Sequence, residues 1–338
     1  MTVQEKLGGV GQRSPVVSNR TIALRKVRIS VHSLCNFACP YCRPGGDGTA
    51  NSKSQMPVER AIFIARVFQK IGCDRLNVTG GEPFLHSALL ELINGINDLG
   101  KYQISINTNG SLQPFALSQL KESERLRLIV SLDSVNDEKT ELLGRTRKSL
   151  QAKSFIKEAA GLNLNLRINS VIVNQINDSE DDIKSLVEFA EDIGVDLKLQ
   201  SVFETSDDMF MEASSLYKDL DFVPELLKKW SYRKAAEVNE FNGVTEVVYT
   251  KNGKNFIRVL DKNPAATRYS SLCRSCSRYP CDTGIYAFYV TTDQKLMACR
   301  NRRDVIFDFS NKMNVENTVL ALEDTLAATG YESILAGK

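Results

Sequence analysis

Six short β-prone runs, separated for the most part by amphipathic helical segments, constrain this chain more than any other feature. They are KVRISV (26–31), RLNVT (75–79), QISIN (103–107), RLRLIVSLD (125–133), LRINSVIV (166–173) and DLKLQSV (196–202), each dense in the residues that strands favour. The segment PVERAIFIARVFQKIG repeats Val58, Ala61, Ile62, Ala65 and Phe68 at helical spacing, with Pro57 as its start and Gly72 as its stop. In SEDDIKSLVEFAEDIG, Ser179 with Asp182 has the form of a capping box, and Ile183, Leu186, Val187, Ala190 and Ile193 make the buried stripe before Gly194. Alternation of this kind predicts parallel strands joined by right-handed crossovers. The result is a doubly wound sheet or a partial (β/α) barrel, and periodicity does not choose between them.

The pattern changes after about residue 204. An irregular helical region is expected through LYKDLDFVPELLKKWSYRKAAEV, followed by a hairpin, VTEVVYTKNGKNFIRVL, with Asn252 and Gly253 at its turn. A second hairpin is expected in IYAFYVTTDQKLMAC. The division is therefore a polar N-terminal arm over 1–20, an α/β body over 21–204, and a C-terminal region over 205–338 whose cysteine-bearing segment is about 244–303.

Cysteines decide what that framework is for. Of eight, Cys35, Cys39 and Cys42 form one group and Cys273, Cys276, Cys281 and Cys299 another, with Cys73 apart. Lys and Arg total 43 against 41 Asp and Glu, a net charge of +2, so no polyelectrolyte signature points to nucleic acid or a membrane surface. The first twenty residues lack the apolar core of a signal peptide, and no run reaches the ~18 apolar residues of a membrane span. A cytoplasmic location is expected, where clustered thiols bind metal or do chemistry more often than they pair. Three thiols in CNFACPYC would leave one iron of a four-iron cube without a protein ligand. The alternative is a zinc site completed by His32 or a remote group.

CNFACPYC, with the aromatic Tyr41 before its third cysteine, resembles the signature of the radical S-adenosylmethionine (SAM) superfamily. TGGEP (79–83), NTNG (107–110), SLDS (131–134) and RINSV (167–171) follow in that family's order. The resemblance implies a partial (β/α)6 TIM-type barrel followed by a small iron–sulfur domain. It also implies a 4Fe–4S cluster on Cys35, Cys39 and Cys42 with SAM at the open iron. Gly80, Gly81 and Glu82 would meet the methionine end of SAM, and Thr108, Asn109, Ser131 and Asn169 would complete its pocket. Such enzymes cleave SAM reductively, and the resulting radical takes hydrogen from a substrate. A small-molecule substrate and an electron donor such as flavodoxin or ferredoxin are the implied partners.

Within that superfamily, residues 20–300 are most similar to the GTP 3',8-cyclases of molybdenum cofactor biosynthesis. By matched position Arg28, Arg75, Arg167 and Lys198 would hold a triphosphate. Three features depart from that pattern. Cys273, Cys276, Cys281 and Cys299 could saturate a second 4Fe–4S cluster, where the cyclases keep three cysteines. Asn77 stands where they carry Arg, and the chain ends SILAGK in place of their Gly-Gly tail. The expectation drawn is a divergent member acting on a carbohydrate- or nucleotide-derived metabolite. The alternatives are the cyclase itself, a peptide-modifying enzyme of the SPASM type, and a non-enzymatic iron–sulfur sensor. Cys73 is expected to be buried and His86 to begin a helix. The role of Asp133 is open. Arg300, Arg302 and Arg303 would hold an anion or make a solvated turn.

Overall fold

The computed structural model describes residues 24–42, 55–120, 125–145, 149–202, 213–239, 245–261, 271–277, 279, 281, 285–300 and 302–329. The expected arm at 1–20, the tail SILAGK and the side chain of Arg303 lie outside what it describes. All six β-prone runs form strands: β1 (Lys26–His32), β2 (Arg75–Gly80), β3 (Gln103–Thr108), β4 (Leu126–Ser131), β5 (Leu166–Ile172) and β6 (Asp196–Ser201). Each runs parallel to the next. The crossovers carry α1 (Val58–Lys70), α2 (Leu89–Asn97), α3 (Asp137–Leu142), α4 (Ser149–Gly161) and α5 (Glu180–Ile193).

Sequence at the helix ends accounts for where they stop and start. Ser179 and Asp182 make the reciprocal capping box of α5, and Gly194, at φ 75°, closes it in the left-handed conformation that glycine adopts without steric cost. On α1, Ala61, Ile64, Ala65, Val67 and Phe68 are buried, whereas Val58 and Ile62 are only partly covered. The buried face is wider than the expected stripe because a C-terminal helix also packs on α1.

After β6 the chain adds α6 (Ala213–Leu216), α7 (Val223–Lys229), β7 (Arg233–Asn239), β8 (Thr245–Lys251) and β9 (Lys254–Asp261). It ends through α8 (Ser271–Arg274), β10 (Phe288–Val290), β11 (Lys295–Cys299), β12 (Arg302–Asp308) and α9 (Val315–Ala328). Helix was expected through residue 238, but Arg233–Asn239 is a strand. Ser231, at φ 69°, ends the helical turn, and β8 supplies an antiparallel partner whose hydrogen bonds outweigh local propensity. Both hairpins form. Asn252 and Gly253, at φ 57° and 68°, make the tight turn between β8 and β9, and β10 pairs antiparallel with β11.

Among the described residues one twelve-stranded sheet results, in the order β12-β11-β10-β1-β2-β3-β4-β5-β6-β9-β8-β7. Because β10 occupies the free edge of β1 and β9 that of β6, the six-strand barrel stays open. Its convex side packs Val27, Ile29, Val78, Ile106, Val130, Ile168 and Leu197 under the helices. The C-terminal segment shares this core: Phe68 of α1 lies 5.0 Å from Phe288 and 5.8 Å from Phe309, ring to ring. Arg60 of α1 donates to Gln294 Oε1 at 2.6 Å and to the Lys312 carbonyl at 2.8 Å, which ties that segment down. Side chains alternate across each strand, so the concave side is left to Arg28, Asn77, Ser105, Asn107, Arg127, Arg167, Asn169 and Lys198, brought side by side by the strand register.

Candidate active site

The loop after β1 carries Cys35, Cys39 and Cys42 to the C-terminal end of the barrel, where α/β barrels build their sites. Two backbone approaches fix it there. Gly81 N–H donates to the His32 carbonyl and Glu82 N–H to the Leu34 carbonyl, both at 2.7 Å. A Cβ on Gly81 would stand 2.1 Å from the Leu34 oxygen, and one on Gly80 would stand 2.3 Å from that of His32. On the other flank the Ala38 amide donates to the Gly144 carbonyl at 3.1 Å, and a Cβ on Gly144 would meet the Ala38 oxygen at 2.2 Å. Glycine is required at 81 and 144 because the loop backbone rests directly on both.

Glu82 is buried beneath the loop and accepts from Thr108 Oγ1 at 2.7 Å, Asn109 N–H at 2.7 Å and Phe84 N–H at 2.9 Å. Burial pushes its carboxyl up to about 7, although all three donors favour the anion. Asn109 in turn reaches Asn36 Oδ1 at 2.9 Å, and Asn36 reaches Ser111 Oγ at 2.7 Å. The GGE turn and the NTNG turn thus hold each other as well as the cysteine loop.

A cavity of about 210 Å³ opens over this floor. Its lining includes Cys35, Cys39, Cys42, Gly80, Gly81, Glu82, Thr108, Asn109, Ser131 and Asn169, so the residues expected to hold the first cluster and SAM share one chamber. Asn169 Oδ1 is buried there with no hydrogen-bond partner, an acceptor placed for a ligand donor. Among the described residues no three Cys, His, Asp or Glu side chains converge on a point that could hold a single ion. Three soft thiols on the wall of one chamber, over a floor kept clear by glycines, fit a larger iron–sulfur group.

Of the four cations expected to meet substrate, Arg28 reaches this cavity and stacks 5.7 Å from the Tyr289 ring. Arg75, Arg167 and Lys198 lie deeper, on the concave face towards the N-terminal strand ends. Lys198 is paired with Glu246, which also lies 3.5 Å from Arg258 Nη1. Burial works against the ionised Glu246, but Lys198, Arg167 and Arg258 outweigh it and hold its carboxyl well below the usual range.

The four C-terminal cysteines are partly exposed. Cys273 and Cys299 pack on the common core, and Arg302, opposite Cys299 in the β11–β12 pair, donates to the Leu272 carbonyl at 2.8 Å beside Cys273. Arg300, next to Cys299, lines the cavity. Cys73 is buried, and its thiol is pushed up by burial. His86 caps a short turn: Nε2 lies 2.8 Å from the Met56 carbonyl and Nδ1 accepts from Ala88 N–H.

Sequence reasoning missed Arg145, Arg258 and Glu246. Nothing in their local sequence marks them, since each acquires its meaning from a partner on another strand or loop. Asp133, left open, is now placed: it is buried, accepts from Val171 N–H at 2.8 Å and from the Tyr41 hydroxyl, and pairs with Arg145 at 2.7 Å.

Residues 29–190 match the Radical SAM superfamily. A GTP 3',8-cyclase of Aquifex aeolicus is 27% identical over 308 residues, covering 88% of each chain. A probable GTP 3',8-cyclase of Methanothermobacter thermautotrophicus is 26% identical over 294 residues, covering 86% of this chain and 89% of its own. Among solved structures, Streptococcus suis SuiB bound to precursor peptide SuiA superposes with a TM-score of 0.62 at 15% identity, over 86% of this chain and 64% of SuiB. This chain thus spans just under two thirds of SuiB, and the likeness is one of fold.

Proposed function

Because this chain is a radical SAM enzyme, we propose that it acts on a phosphorylated nucleotide, with GTP 3',8-cyclisation, the activity in its relatives' names, as the reading best supported. The observation that carries it is the charge of the concave face. Arg28, Arg75, Arg127, Arg167, Lys198 and Arg258 share that face by strand register, against Asp196 and Glu246. Burial lowers the Arg127 guanidinium to about 10, and the neighbouring Arg167 and Arg258 add to that shift. Clustered guanidiniums are the usual means of holding phosphate oxygens.

A cluster on Cys35, Cys39 and Cys42 with SAM bound supplies reductive cleavage of SAM and a radical that takes hydrogen from the substrate. Glu82 and the Gly80–Gly81 turn would receive the ammonium of SAM, and Thr108, Asn109, Ser131 and Asn169 would position the remainder. Arg28 would orient the substrate from the concave face and Arg300 from the C-terminal segment. Residues 21–204 would hold the radical chemistry. Residues 205–338 would hold a second 4Fe–4S cluster on Cys273, Cys276, Cys281 and Cys299, and flavodoxin or ferredoxin would supply electrons. Clustered thiols suit a reducing cytoplasm.

A second reading, another small anionic metabolite, draws on Glu246. That carboxylate already occupies Lys198 and approaches Arg258, and Asn77 bonds to Ser105 and Asn107 where the cyclases carry Arg. Anaerobic reconstitution with iron, sulfide, SAM and dithionite tests both. GTP-stimulated 5'-deoxyadenosine with a cyclised nucleotide is the expected result. Release of 5'-deoxyadenosine that GTP neither stimulates nor channels into product would leave the second reading standing, and no release at all would overturn both.

A further inference from the structure

The loop bearing Cys35, Cys39 and Cys42 is latched to the barrel by one side chain from outside every motif. Arg145 follows α3 and is buried. Its Nη1 donates to the Ser131 carbonyl at 2.8 Å, and its Nη2 donates to the Tyr41 hydroxyl at 3.0 Å and lies 2.7 Å from Asp133 Oδ2. The guanidinium carbon stands 5.8 Å from the Phe37 ring centre. Its neighbour Gly144 takes the Ala38 amide. Phe37, Ala38 and Tyr41 belong to the cysteine loop, while Ser131 ends β4 and lines the cavity, and Asp133 follows two residues later. A single planar fork therefore bridges the two walls of the chamber. Lysine carries its donors on a single nitrogen and does not reproduce this planar fork.

We infer that Arg145 is a positioning residue that sets the cysteine loop at a fixed distance from the β4 wall, and so sets how a cluster on that loop meets SAM lying against Ser131 and Asn169. The inference rests on the radical SAM reading. Residues that orient a metal group from behind its ligands alter its properties without binding it. Arg145 does so through Tyr41, one residue before Cys42, while the carbonyl of its neighbour Gly144 accepts from the amide of Ala38, one residue before Cys39. The Nε of Arg145 is buried with no partner, so the hydrogen bonds of the guanidinium are made by its terminal nitrogens alone.

The test compares the wild-type holoenzyme with Arg145→Met, Arg145→Lys and Tyr41→Phe, each checked for fold by circular dichroism and for iron content. Two measurements are made: SAM affinity together with the SAM-induced change in the electron paramagnetic resonance spectrum of the reduced cluster, and amide hydrogen exchange of peptide 33–42 in the metal-free full chain. Arg145→Met should weaken SAM binding about tenfold or more, the range for lost supporting contacts at metal sites. It should also blunt the spectral change and speed exchange in peptide 33–42 but not in 58–70. Arg145→Lys and Tyr41→Phe should fall between. An iron-loaded Arg145→Met variant with wild-type SAM affinity and spectrum overturns the inference. Should that variant fail to fold, wild-type behaviour in both milder variants overturns it equally. A wild-type spectrum that does not respond to SAM would instead overturn the radical SAM reading.

Discussion

Arg145 Nη2 and Asp133 Oδ2 lie 2.7 Å apart, both side chains closed to solvent, and the same carboxylate oxygen takes the hydroxyl of Tyr41. Burial works against the Arg145 cation, but Asp133 and Tyr41 outweigh it and raise the guanidinium well above its ordinary value. The two side chains are thus mutually dependent. Asp133→Ala would strand a buried cation and should cost about 3–5 kcal/mol, read as a lower urea midpoint of the metal-free chain. Asp133→Asn keeps an acceptor and should cost less. A midpoint unchanged in the alanine variant would show that the pair contributes nothing net.

Gly81→Ala drives a methyl group into the Leu34 carbonyl, with the Cys35 amide next at 2.9 Å. Both obstacles are backbone, so the loop itself must shift, at about 1–3 kcal/mol. Reduced SAM affinity measured by calorimetry is the expected outcome. Gly161→Ala, where nothing lies within 4 Å, serves as the neutral control.

Replacing Cys35, Cys39 and Cys42 together by Ala should abolish SAM cleavage yet leave about four irons per chain on the C-terminal cysteines. Replacing Cys281 alone tests whether that second group uses all four of its thiols: three-cysteine ligation predicts unchanged iron, and four-cysteine ligation predicts loss or an altered spectrum. Iron and sulfide assays with Mössbauer spectra distinguish these outcomes.

Glu82, proposed to receive the ammonium of SAM, should make SAM binding depend on pH. Burial raises its carboxyl from 4.5 to about 7 in the folded protein. Its contribution to stability therefore runs against the fold: no cost arises below 4.5, the cost grows as pH rises towards 7, and it is constant above that. An ammonium ligand favours the ionised carboxylate and releases a proton on binding. SAM affinity should rise as pH increases from 6 to about 7 and then level off. Titration calorimetry in two buffers of different ionisation enthalpy would register the released proton, and Glu82→Gln should flatten the profile.

Much of this architecture was legible in the chain itself. Six β-prone runs, the capping box at Ser179, the Asn252–Gly253 turn and the ordered motifs CNFACPYC, TGGEP, NTNG and SLDS depend on local chemistry and short spacing, and each appears where the sequence placed it. Strand Arg233–Asn239 was misread because its partner, β8, decides its conformation. The strands of the C-terminal region extend the barrel sheet from both edges. Edge pairing is a contact between residues far apart in the chain, and local pattern does not encode it.

The same division runs through the site. Sequence alone determined which groups are candidates for the chemistry: three thiols in eight positions, two glycines before Glu82, and the polar ends of the strands. Tertiary structure alone decided what holds them. Arg145 reaches Tyr41 across 104 positions of chain, and Lys198 reaches Glu246 across 48. A buried charge is stable only where folding brings it a partner and hydrogen bonds, so the significance of Arg145, Asp133 and Glu246 exists only once the barrel has formed.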